Sequence, residues 1–187
     1  MDKEFKPLPF WREMLLKKEE LQDYYILKRE YLYNNNKEVL KHLKIKDMLH
    51  PLLIKLMSLN RKYIDKQTLT IINDKSTKSD KPVIYAITHM GMYDYQVVSE
   101  AIKEHQIPFA GDPETMYRTF DGLILDLNGV IYCDTDNKTD RKIAKDTSID
   151  VIKNGHNLLI YPEGIWNLSA RLLSLPLYPG IIFGGIC

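Results

Sequence analysis

The sequence predicts an α/β protein: a mixed, largely parallel sheet covered by helices, with an N-terminal helical arm. Three observations lead there. Short β-branched and aromatic runs recur at Val83–Ile87, Pro108–Gly111, Val130–Cys133 and Asn157–Tyr161. Segments with helical spacing stand between them, and strands alternating with helices argue for a parallel, layered sheet. Helical spacing also fills most of residues 10–63, ahead of the first strand. The organisation expected is a helical region over 1–66 and an α/β domain over 67–187, incomplete at its C-terminus.

Composition narrows the class. A chain of 187 residues, 44% hydrophobic and 27% charged, is long enough for a buried core and ordinary for a water-soluble protein. No apolar run approaches a bilayer span, and the charged N-terminus is no signal peptide. Two cysteines, Cys133 and Cys187, make no disulfide framework, so a cytoplasmic setting is expected, with the inner membrane surface as its peripheral variant. The net charge of +1 hides an asymmetry: residues 1–66 hold 15 Lys and Arg against 10 Asp and Glu. A basic arm on an acidic body suits phosphate-bearing surfaces. Nucleic acid is disfavoured, because acids dilute the basic residues and no binding motif appears.

In order, residues 10–33 carry apolar positions Trp11, Leu15, Leu16, Leu21, Tyr24 and Tyr25 at helical spacing, closed by Asn34–Asn36. A second helical region runs from Glu38 to Tyr63 with an interruption near Pro51. Its Leu52–Met57 stretch is apolar enough to lie on the domain or on lipid. The reading adopted is a helical layer packed on the domain with solvated lysines; the other is an interfacial helix placing Lys41, Lys44, Lys46 and Lys55 near anionic headgroups. Leu69–Asn73 reads as a strand and 74–81 as a polar loop. Tyr93–Glu104, Tyr117–Leu127 and Arg141–Lys153 read as helices. The last residues, Ile181–Cys187, are apolar to the end, which suggests an interrupted chain whose uncovered sheet edge would self-associate or sit on membranes.

Chemistry concentrates at two strand ends. His89 leaves the strand Val83–Ile87, and Gly91 lets the chain turn so that Asp94, five residues on, returns from the first helical turn. A carboxylate bonded to one imidazole nitrogen fixes the tautomer and leaves the other as a base. Glu163 and Gly164 follow the strand Asn157–Tyr161 through Pro162, and the carboxyl edge of parallel strands is where ligands bind. Each site alone reads equally as a polar loop or a turn; the signal is the pair.

On these residues the chain resembles the glycerolipid (lysophospholipid) acyltransferases. The family's His-x4-Asp motif matches His89 and Asp94. Its aromatic-Pro-Glu-Gly turn matches Tyr161, Pro162, Glu163 and Gly164. The resemblance covers about residues 67–182. It implies transfer of a fatty acyl group from an acyl-CoA or acyl-carrier-protein thioester to a hydroxyl of a lipid acceptor, without metal or cofactor. Catalytic roles would fall to His89 and Asp94, and substrate binding to Tyr161, Pro162, Glu163 and Gly164. Two departures stand out. The family's second motif ends in an arginine, whereas Gly129–Asp134 is followed here by Thr135. Its Thr-Arg-Ser after Pro-Glu-Gly is replaced by Ile165, Trp166 and Asn167. Arg141 and Arg171 are the nearest substitutes, so the acceptor is left open.

Other readings compete. A shortened relative could keep the fold and only bind lipid or a partner. Leu123–Tyr132 resembles the nucleophile strand of haloacid-dehalogenase-type phosphatases around Asp126, but the second acid is Asn128. The acidic run Asp134–Asp140 lacks the glycine a calcium loop requires. His42, His50, His105 and His156 have no partners at ligand spacing and are expected at surface or core positions.

Overall fold

A computed structural model describes residues 5–13, 15–72, 79–91, 94–111 and 119–163. Gly164, Ile165–Asn167, Arg171 and the C-terminal apolar run lie outside them. Among the described residues there are six helices and four strands: α1 (Phe10–Glu13), α2 (Lys18–Asn34), α3 (Leu43–Tyr63), β1 (Ile84–Ala86), α4 (Asp94–Ile102), β2 (Gln106–Ala110), α5 (Phe120–Asn128), β3 (Ile131–Tyr132), α6 (Lys138–Lys153) and β4 (Asn157–Ile160). The fold is α/β, as expected.

The strands form one sheet in the order β1-β4-β2-β3, and every pairing is parallel. Parallel strands need long crossovers, and α4 lies in the one from β1 to β2 and α6 in the one from β3 to β4. Ile107 and Leu158 stand in register and pack against Ala144 and Val151 of α6, with Ile131 completing the cluster. The other face carries Gln106, whose amide donates to Ser99 Oγ of α4 at 2.9 Å. Helices therefore cover both faces, and the central strands read as continuous apolar runs because neither side meets water.

Local chemistry sets the helix ends. The α2 terminus is a Schellman motif: Asn36 takes φ 53°, its N–H reaches Tyr33 O, and the Lys37 N–H reaches Leu32 O. Asn137 caps α6, its Oδ1 accepting from the Thr139 and Asp140 N–H groups. Gly129 ends α5 at φ 93°, where a Cβ would sit 3.2 Å from the Lys46 stem and 3.3 Å from Ile107 Cδ1. Conformation and space both call for glycine there.

The N-terminal helices are bolted to the rest. The Arg29 guanidinium of α2 grips Asp140 of α6 bidentately at 2.7 and 2.6 Å, both groups buried. Arg61 of α3 holds Glu100 of α4 in the same fork, at 2.9 and 2.7 Å.

Three local expectations change. The helix α3 runs unbroken through Pro51, because Leu53 and Met57 beyond it are anchored in a core cluster with Ile124, and packing outweighs the lost hydrogen bond. Leu69–Ile72 form no strand; among the described residues no strand pairs with their β-favouring side chains. Leu123–Asn128 are helical, so Asp126 is not presented by a strand end and the phosphatase reading loses its geometry.

Candidate active site

Ala86 of β1 and Ile160 of β4 are register partners on adjacent parallel strands. His89 and Glu163 each lie three residues beyond, so the sheet delivers both to one spot on its carboxyl edge. The His89 N–H donates to Glu163 Oε2 at 3.2 Å, and Glu163 is only 2% exposed. The buried carboxylate thus ties the backbone of one strand end to the other.

Asp94 opens α4, and its Oδ2 is a convergence point. It accepts from His89 Nδ1 at 2.7 Å, from the Met90 N–H at 2.5 Å and from the Gly91 N–H at 2.9 Å. The bond from Gly91, three residues back, closes the turn that leads into the helix. Turn closure and imidazole orientation are therefore the work of one carboxylate oxygen. A carboxylate only accepts, so Nδ1 carries the proton and Nε2 is the basic nitrogen. The pair keeps some contact with solvent, at 23% for His89 and 16% for Asp94.

Tyr161 stacks on the His89 imidazole, centroids 4.4 Å apart and planes 27° from parallel. Its hydroxyl is buried with no hydrogen-bond partner among the described residues, and burial, with the Asp94 charge behind it, raises its pKa. Tyr161 is thus a neutral plate that limits imidazole rotation. The structure brings together His89, Asp94, Tyr161 and Glu163. Arg141 is elsewhere, its guanidinium donating to Thr135 O. Burial pushes the Cys133 thiol up to about 11, which disfavours its thiolate.

Sequence reasoning missed the support beneath the site, namely the Glu163 bond to the His89 backbone and the two N–H groups on Asp94. A usable signal existed for the first, the equal offset of His89 and Glu163 from two apolar runs.

An α/β protein with a carboxylate-oriented histidine at the carboxyl edge of adjacent parallel strands has the parts of a general-base enzyme. A family model described as Acyltransferase matches residues 68–183, and the chain belongs to that acyltransferase family. Family membership makes it an enzyme of the transferase class, in line with the glycerolipid acyltransferase resemblance of its motifs. No curated protein and no solved structure gives a significant match to the chain. No helix among the described residues is long and apolar enough to cross a membrane.

Proposed function

We propose that the protein transfers a fatty acyl group from an acyl-CoA or acyl-carrier-protein thioester to a hydroxyl of a glycerolipid precursor. His89 is the general base and Asp94 its orienter. Residues 67–187 form the catalytic domain in this reading. The observation that carries it is the His89–Asp94 hydrogen bond of 2.7 Å at the sheet edge, in a chain of the acyltransferase family.

The step balances without a metal or redox cofactor. Nε2 takes the acceptor's hydroxyl proton as the oxygen attacks the thioester carbonyl. The tetrahedral intermediate collapses, the C–S bond breaks, and the proton passes from the imidazolium to the departing thiolate. Asp94 stabilises the transient imidazolium and holds the ring aimed, as in a Ser-His-Asp triad whose hydroxyl the substrate supplies. Tyr161, Pro162, Glu163 and Gly164 form the acceptor side, with Glu163 also fixing the His89 backbone. The basic N-terminal region meets the membrane surface from which a lipid acceptor comes.

Thioester consumption with acyl-CoA and acyl-carrier-protein donors, across a panel of lipid acceptors, tests this. Wild type is expected to turn over and His89→Ala to lose roughly 10²- to 10⁴-fold. Equal rates in the two proteins would remove His89 from the mechanism. A folded wild type inactive on every pair would favour the shortened relative that only binds.

A further inference from the structure

A cavity of about 140 Å³ lies beside β3, bounded by α2, the segment before α3, β3 and α6. Its walls are largely apolar, set by Leu32, Val39, Leu40, Ile131, Ile143 and Ala144. Lys28, Arg29, Tyr132 and Thr147 are polar members of the lining. In the strand order β1-β4-β2-β3 this is the edge opposite β1. Three strand spacings, about 14 Å, separate it from the strand that leads to His89. The cavity is therefore distinct from the catalytic site.

Arg29 gives the cavity its chemistry. The residue is 8% exposed, and its Nε and Nη2 both donate to Asp140. Its Nη1 is buried with no hydrogen-bond partner among the described residues. A guanidinium Nη1 carries two N–H donors, and leaving such donors buried and unmet is costly. Three neighbours in the lining are already committed. Lys28 Nζ donates to Glu13 at 2.6 Å, the Tyr132 hydroxyl to Asp126 at 3.2 Å, and the Thr147 hydroxyl to Ile143 O at 2.7 Å. What the cavity lacks is an acceptor for Arg29.

Charge decides which acceptor fits. Asp140 already neutralises Arg29, and Glu13 neutralises Lys28. A ligand carboxylate would bring a further anion out of water and next to the buried Asp140, at a desolvation cost no free cation offsets. A neutral oxygen meets the Nη1 donors without that cost. A lone water has the oxygen but finds few further polar partners along these walls. The volume suits one small ring, since an apolar cavity of about 150 Å³ takes up benzene. We infer that the cavity between α2, β3 and α6 binds a compact, neutral, apolar molecule with one acceptor oxygen, a ketone or ester, that oxygen resting on Arg29 Nη1. Such a ligand ties the N-terminal arm to the sheet edge.

Titration of cyclohexanone, benzene and cyclohexanecarboxylate into the isotope-labelled full chain, followed by amide chemical shifts, tests it. Cyclohexanone should bind saturably, with a Kd no weaker than about 10 mM and shifts centred on Leu32, Ile131 and Ala144. Benzene has the shape without the acceptor and should bind about tenfold or more weakly, the usual worth of a hydrogen bond from a charged donor. Cyclohexanecarboxylate should also bind more weakly than the ketone. Val39→Phe fills the cavity and leaves the Arg29–Asp140 fork in place, so it should abolish the shifts without lowering the melting temperature. Arg29→Lys keeps a cation beside Asp140 but has no Nη1, and should bring cyclohexanone down to the affinity of benzene. Four results would each overturn the inference: no saturable binding of the ketone, benzene binding as tightly, the carboxylate binding more tightly, or Val39→Phe binding like wild type. No step of the test passes through thioester turnover, so it stands apart from the catalytic reading.

Discussion

The sheet carries a histidine site at each end, one histidine at the carboxyl edge and a buried pair at the amino edge, and the two are built oppositely. At the carboxyl edge His89 meets a carboxylate and keeps some contact with solvent. At the amino edge His50 and His105 converge on Asn128, an amide. The His50 Nδ1 bonds Asn128 Oδ1 at 2.7 Å, His105 Nε2 bonds Asn128 O at 2.8 Å, and Asn128 Nδ2 donates to Gln106 O at 2.9 Å. His50 and His105 are buried, with ring centroids 5.0 Å apart. Burial is the main cause of their lowered pKa values, taking His105 to about 4. The same side chain is thus a base where a carboxylate grips it beside solvent, and a neutral spacer where burial outweighs the pull of the largely exposed Asp47 carboxylate, 3.4 Å from His105.

Substitutions sharpen that contrast, the largest effect falling at the carboxyl edge. Asp94→Asn replaces an acceptor-only group with one that can donate, which permits the wrong imidazole tautomer. Turnover should fall roughly 10²- to 10⁴-fold with KM little changed, measured by steady-state thioester consumption. Asn128→Ala should instead act on stability. It strands the His50 Nδ1–H and the Gln106 carbonyl, at about 1–3 kcal/mol for each buried group, read from chemical denaturation. Turnover by the fraction still folded should be unchanged.

Acid should separate the two sites without mutation. His105 has a depressed folded-state pKa, so the unfolded chain takes up its proton first. The stability it confers is whole above 6.5 and drains as pH falls towards about 4. The loss should be on the order of 3 kcal/mol, and His105→Gln should flatten that limb of the stability–pH curve. The smallest effect should come from Tyr161→Leu. Loss of the stacked plate should lower turnover up to about tenfold, consistent with 0.5–1.5 kcal/mol for an aromatic pair.

How much was legible in the sequence follows the same division. His89 and Asp94 are five residues apart, and a strand, a glycine and a helical pattern suffice to fold them together. Glu163 was legible as a strand-end residue, but its bond to His89 depends on β1 and β4 being neighbours in register. That pairing spans 74 residues, and its only trace in the sequence is the equal offset of His89 and Glu163 from their apolar runs. The Asn128 hub was missed outright. His50 and Asn128 are 78 residues apart, and nothing near either marks it as buried. For α3 the readings of packed layer and interfacial helix were posed as alternatives, whereas the helix carries an apolar stripe on each side. A period of 3.6 reports that a helix has an apolar face, not how many of its faces find partners. Leu69–Ile72 failed as a strand for a related reason, since β propensity reflects neighbouring strands, and none among the described residues pairs with the segment.

The central claim is that His89 is the reacting base while the buried histidines only hold the fold. The most direct measurement is turnover of His89→Ala and Asn128→Ala in one thioester assay, each rate divided by the folded fraction from its own denaturation curve. The account predicts at least about a hundredfold loss for His89→Ala with wild-type stability, and a wild-type rate for folded Asn128→Ala despite a lower denaturation midpoint. A folded His89→Ala that turns over like wild type would contradict it.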